Sequence, residues 1–192
     1  MKRIFLSASV PMPDRDHRFF ASADVISIRE AVKALTLVMI ETRSQLIFGG
    51  HPAITPIISK LFSQAGLVPA EHVVLYQSEY FRARFPVQNS YFTEVVVIEE
   101  VDGDREMSLK LMRERMLAHC RFDAGIFIGG MEGVLDEFHL FRGSNPGVAV
   151  YPVASTGAAA RMIWEELPDR ARGLDDEYTY PTLFRGLLGE LN

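Results

Sequence analysis

Three short segments hold the residues best suited to chemistry: Ser7-Ala8-Ser9, Gly49-Gly50-His51-Pro52 and Gly129-Gly130-Met131-Glu132-Gly133. Each follows an apolar run (RIFL, QLIF and AGIFI). A glycine pair lets the backbone turn sharply and approach a ligand closely, because no Cβ intervenes. A helix starting just beyond such a turn aims its free N–H groups at the same place, and its dipole favours an anion. Pro52 suits a helix start, where a missing N–H costs little. Ser7 and Ser9 can donate hydroxyl hydrogen bonds to a phosphate or a ribose. Tight turns alone also use glycine, but two such turns in one parallel sheet converge on one rim. Neither pair matches G-x-G-x-x-G or G-x-x-x-x-G-K-[ST], so a dinucleotide fingerprint and a P-loop both lose ground.

Glu137 falls one turn into the helix expected after the second glycine turn, near the strand rim. It is a candidate ligand contact as well as a helix-surface charge. Its neighbour Asp136 points elsewhere on the helix, which argues against a paired-carboxylate acid and base. His51 can donate to a phosphate, act as a base, or cap its turn. Ser155-Thr156 ends another apolar run and reads as a phosphate or ribose contact, or as a plain helix cap. Tyr80, Phe81, Phe85, Tyr91 and Phe92 read as a lid over a base or as an interface. His72, His119 and His139 lack metal-ligand spacing, and Cys120 is the only cysteine, so no metal, disulfide or cofactor is expected.

The elements that must position these residues alternate. Strands are predicted at residues 3–8, 45–48, 72–77, 94–101, 124–128 and 147–151. Helices are predicted at about 28–42, 54–65, 105–120, 133–141 and 158–166, with a last, short amphipathic one carrying Leu183, Leu187 and Leu188. The strands are continuously apolar, which indicates a parallel sheet covered on both faces. The expected fold class is therefore α/β: one Rossmann-like domain over residues 1–192, doubly wound, with 169–192 as a helical extension. In such sheets ligands bind beyond the carboxyl ends of the strands.

The net charge of -5, with no basic run, argues against duplex nucleic acid as a partner. No window approaches the twenty apolar residues of a membrane span, and the first residues lack a signal-peptide core. A cytoplasmic protein is expected. A homodimer is the expected assembly, through the tail leucines or the aromatic stretch 80–92.

The segment SLKLMRERMLAHC followed by FDAGIFIGGMEGVLDEFHLF resembles the SLOG superfamily, named for the Smf/DprA and LOG proteins. LOG-type phosphoribohydrolases carry M-x-E-R on a helix, then a strand ending in P-G-G-x-G-T-x-x-E. Met112, Glu114 and Arg115 match the first motif; Gly129, Gly130, Gly133 and Glu137 match the second. Ile128 replaces the proline, Val134 replaces the threonine, and one extra residue precedes Gly133. The resemblance implies a Rossmann-like fold and roles for Arg115 and Glu137 at the ribosyl carbon of a nucleotide. It also implies two functions. One is a sensor or accessory module for a nucleotide-derived signal, ADP-ribose-like or related, beside a TIR-domain partner in bacterial defence or stress. The other is a hydrolase cleaving the base–ribose bond. The altered glycine motif favours the sensor, and retention of Arg115 and Glu137 favours the enzyme.

Overall fold

The structure, a computed structural model, describes residues 1–66, 72–92 and 94–191. Six strands form one parallel sheet: β1 (Arg3–Ser9), β2 (Gln45–Gly49), β3 (Val73–Ser78), β4 (Val95–Ile98), β5 (Ala124–Gly129) and β6 (Ala149–Val153). Their spatial order is β4-β3-β2-β1-β5-β6. The chain winds outward from β1 in one direction through β4, then crosses back and continues on the other side with β5 and β6. The direction reverses between β1 and β5, which places a crevice at their carboxyl ends.

Alternation along each strand sends side chains to opposite faces. Ile4 and Leu6 join the apolar layer built with α2 (Val25–Glu41), α3 (Thr55–Gln64) and α7 (Tyr180–Gly189). Phe5 faces the other layer, covered by α1 (His17–Ser22), α4 (Arg105–Leu117), α5 (Glu132–Ser144) and α6 (Ala158–Glu166). There Phe5 stacks on Phe141 with ring centroids 5.2 Å apart, and Phe122, Phe127 and Phe138 complete an aromatic cluster. Gly125 makes this possible, because a Cβ there would lie 2.8 Å from the Phe141 ring.

Capping shifts several boundaries. Asp24 accepts from the Ser27 amide at 2.9 Å, so α2 begins at Val25 rather than near Ile28. Asp104 accepts from the Met107 amide at 2.9 Å and starts α4. The short α1, capped by Asp16, has no counterpart in the sequence reading. Residues Glu79–Arg84 and Val87–Tyr91 are 3-10 turns. β4 is shorter than expected, since the chain leaves the sheet before the Asp102-Gly103 turn. The terminal helix forms despite Gly186 and Gly189, because Leu183, Phe184, Leu187 and Leu188 are buried against the α2 side of the core. Those leucines are thus committed within the chain, which corrects the expectation that they dock a second copy. No helix among the described residues is long and apolar enough to cross a membrane.

Candidate functional site

A cleft of about 610 Å³ opens at the carboxyl ends of β2, β1 and β5. That volume lies in the ordinary range for small-molecule sites. Its walls include Ser7, Ala8 and Ser9 from β1, Gly49, Gly50 and His51 from β2 and its turn, and Met131, Glu132, Gly133 and Glu137 from the turn after β5 and from α5. All three strand-end segments singled out by sequence therefore contribute to the cleft, although Gly129, Gly130 and Pro52 do not line it.

Their roles divide by backbone geometry. Gly129 and Gly130 take φ +57° and +91°, and Cβ atoms there would lie 2.4 Å from Ile28 Cδ1 and 2.2 Å from Val134 Cγ2. Both conformations and both spaces favour glycine. Their amides are already engaged: Gly129 N–H donates to Thr156 Oγ1 at 2.9 Å and Gly130 N–H to the Ser9 carbonyl at 2.9 Å. The Gly50 amide likewise donates to Tyr76 O at 2.9 Å. The glycine pairs thus shape the turns without offering these amides to a ligand. Beyond the second turn, α5 has no side-chain cap, and the amides of Met131, Glu132 and Gly133 meet no protein acceptor among the described residues. These are the open donors at the positive end of the helix.

At the floor of the cleft, Glu137 is held from two sides. Ser7 Oγ donates to its Oε2 at 2.6 Å, and Arg113 Nε donates to its Oε1 at 3.3 Å. A second Arg113 nitrogen reaches Asp136 at 3.1 Å. The Arg113 and Glu137 side chains are only 11% and 14% exposed. Burial raises the Glu137 carboxyl above the usual carboxylate range, and the Arg113 charge and the Ser7 hydrogen bond offset part of that. Gly133 gives Arg113 room to cross the start of α5, since a Cβ there would lie 2.9 Å from the guanidinium.

Arg113 is the cleft arginine that sequence reasoning missed. Arg115 is exposed on α4 and does not line the cleft. Helix residues two positions apart differ by about 200° in direction, so Arg113 and Arg115 cannot face one site. The signal was present: Leu109, Met112, Arg113 and Met116 form an i, i+3, i+4, i+7 stripe that faces inward, whereas Arg115 falls outside it.

Ser155 and Thr156 also lie outside the cleft. Thr156 Oγ1 donates to Val153 O at 2.6 Å while accepting from Gly129 N–H, and Ser155 Oγ bonds to Glu177 O and the Tyr180 hydroxyl. Thr156 acts on the site only by pinning the glycine turn. Phe92 belongs to the core, packed edge-on to Phe48, and none of Tyr80, Phe81, Phe85, Tyr91 and Phe92 lines the cleft. The lid reading of those aromatics is thereby corrected.

His51 is fixed by its own turn. Its carbonyl accepts from the Ile54 and Thr55 amides, its N–H donates to Thr55 Oγ1 at 3.0 Å, and its Nδ1 accepts from Ala53 N–H at 3.2 Å. Burial, helped by the charge of Arg15, lowers its pKa to about 4. The ring is neutral at pH 7, with its proton on Nε2. Asp16 also lines the cleft, and the Arg18 side chain and backbone N–H lower its pKa to about 2. Carboxylates outnumber cations around the cleft: Asp16, Glu106, Glu132, Asp136 and Glu137 face Arg15, Arg105 and Arg113. No group of three or more histidine, cysteine or acidic side chains among the described residues is placed to hold a metal.

Residues 18–188 match the model of the SLOG cluster3 family. The chain belongs to the SLOG cluster3 family. The SLOG resemblance read from the glycine turn and Glu137 is therefore correct at the level of the superfamily. The X-ray structure of TM1055, a target of the Northeast Structural Genomics Consortium, is similar with a TM-score of 0.61. It covers 87% of this SLOG chain and 82% of its own, at 17% sequence identity, and so shows the shared Rossmann-like fold alone. No curated protein matches the chain at a significant level. Family and fold together fit a nucleotide-related function.

Proposed function

We propose that this SLOG chain binds a nucleotide or nucleotide-derived small molecule, ADP-ribose-like or related, and acts as a sensor or accessory module. The observation that carries the reading is the convergence of Ser7 and Ser9, the Gly49-Gly50 turn and the open α5 amides on one switch-point cleft. A phosphate fits the open α5 amides, with the Arg113 guanidinium beside Gly133. Binding without turnover is favoured because Glu137 already has a protein donor on each oxygen. A TIR-domain partner in a bacterial defence or stress system remains the expected biological setting, and a two-fold homodimer the expected assembly.

A second reading, hydrolysis of the base–ribose bond, is favoured by one feature. Burial raises the Glu137 carboxyl above the usual carboxylate range beside the cleft, the direction a general acid needs. One experiment separates the two. Purified protein is melted with AMP and with ADP-ribose, and the incubations are assayed for released base. At a hundredfold excess over Kd, a ligand of the folded state stabilises by about 2.7 kcal/mol. That is a rise of roughly 5–11 °C for a chain of this size. Stabilisation without base release is the expected result. Base release abolished by Glu137→Gln would establish the hydrolase instead. No stabilisation by either nucleotide overturns the nucleotide reading.

A further inference from the structure

The charged side chains around the cleft hold one another, with one exception. Arg113 serves Asp136 and Glu137, and Arg105 pairs with Glu106. Arg18, just outside the lining, serves Asp16 at 2.6 Å and Glu132 at 3.6 Å. Arg15 lines the same cleft, is exposed, and has no ion-pair partner among the described residues. An unpaired surface arginine is ordinary, since water solvates it. This one is held at the cleft, because its neighbour Asp16 caps α1 and is tied through Arg18 to Glu132 at the start of α5. Its charge is felt at His51, on the turn after β2. Donors open to an anion therefore stand at two places: Arg15 toward β2, and the α5 amides beyond β5. β1 runs between them, and two strand spacings put about 10 Å between β2 and β5. Ser9 ends β1 and faces the same side as Ser7, and its hydroxyl meets no protein partner among the described residues.

Resting on the nucleotide reading above, we infer that Arg15 is a second anion-binding station of the cleft, and that the ligand is a nucleotide with phosphates on opposite sides of one ribose, of the nucleoside 3′,5′-bisphosphate class. One phosphate sits at the α5 amides, the ribose lies over Ser9 on β1, and the second phosphate meets the Arg15 guanidinium, whose planar fork suits phosphate oxygens. The two phosphates of a diphosphate chain share a bridging oxygen, so both crowd toward Glu132 and Asp136 and leave Arg15 unused. Arg15 is also the one cation lining the cleft whose recruitment by a ligand breaks no ion pair among the described residues.

The test titrates AMP, ADP and adenosine 3′,5′-bisphosphate calorimetrically into wild type, Arg15→Gln and Arg29→Gln. Arg15 is exposed, so its substitution leaves the fold intact. Arg29 is exposed on α2 outside the cleft lining, so its variant makes the same change in net charge away from the site. Wild type should bind the bisphosphate roughly tenfold more tightly than AMP, and ADP no more tightly than AMP. Arg15→Gln should lose that roughly tenfold gain while binding AMP within about twofold of wild type, and Arg29→Gln should match wild type on all three ligands. A bisphosphate that binds no tighter than AMP, an ADP that gains as much as the bisphosphate, or a loss in Arg15→Gln that is shared by AMP or by Arg29→Gln overturns the second station, while AMP binding keeps the nucleotide reading. A wild type that binds none of the three overturns both readings together.

Discussion

Removing the Arg113 guanidinium tests whether Glu137 is the buried, partnered carboxylate the geometry describes. In Arg113→Met the stem volume is retained, and Glu137 loses one of its two donors. Breaking a buried ion pair from one side costs about 3–5 kcal/mol. Ser7 still donates to Glu137, and the carboxyl can take up a proton, so the cost should fall near 3 kcal/mol at pH 7.5. For this chain length that lowers the melting temperature by roughly 6–12 °C. The pH dependence follows from the direction of the shift. Burial already holds the Glu137 pKa above its unfolded value, and losing Arg113 raises it further. Below the unfolded pKa, about 4.3, the group is protonated in both states and this penalty is absent. As pH rises toward the folded pKa, the unfolded chain releases its proton first, and the folded state loses stability. Circular-dichroism melts at pH 4.5 and pH 7.5 should therefore show a deficit that grows with pH. Arg113→Met/Glu137→Gln should recover most of it at pH 7.5. A deficit equal at both pH values, or a double variant no more stable than Arg113→Met, refutes the reasoning.

Four further outcomes follow from the geometry of the cleft. Arg115→Ala should leave nucleotide-induced stabilisation unchanged within error, whereas Gly133→Val, which drives a side chain into Arg113, should abolish it in the same thermal-shift assay. Gly130→Ala places a side chain at φ +91° against Val134 and should cost about 1–3 kcal/mol in a denaturant titration, with no change in slope. ATP should bind more weakly than AMP by isothermal titration, because five carboxylates surround the cleft against three arginines and each added phosphate meets more of them.

Much of the fold was legible because its signals are local. Continuously apolar runs separated by helical stretches specify a parallel sheet with covered faces, and the six observed strands overlap the six expected ones. The boundaries that moved did so through side-chain capping. Asp24 and Ser27 start α2 early, and Asp16 with Arg18 supports a short α1 that hydrophobic spacing alone cannot reveal. The tail leucines were misassigned for a different reason. An amphipathic helix announces that it must bury a face, but not whether it does so against its own α2 or another chain.

The site was legible in its backbone and misplaced at Arg115, Ser155 and Thr156, none of which lines the cleft. Glycine turns are visible as residue types, and their convergence follows once β1 is central. The choice between Arg113 and Arg115 depended on helical phase, and matching a motif by letters ignored that phase. Met112 and Met116 are buried one turn apart, which fixes the inward direction of α4. Leu109 and Arg113 follow the same stripe, and Gly133 leaves room where the guanidinium crosses to α5. Three independent features thus select Arg113: the phase of α4, the missing Cβ at Gly133, and the buried carboxylate that needs a cation. Arg115 satisfies none of them, so the arginine that reaches the cleft stands two residues before the one the motif marks.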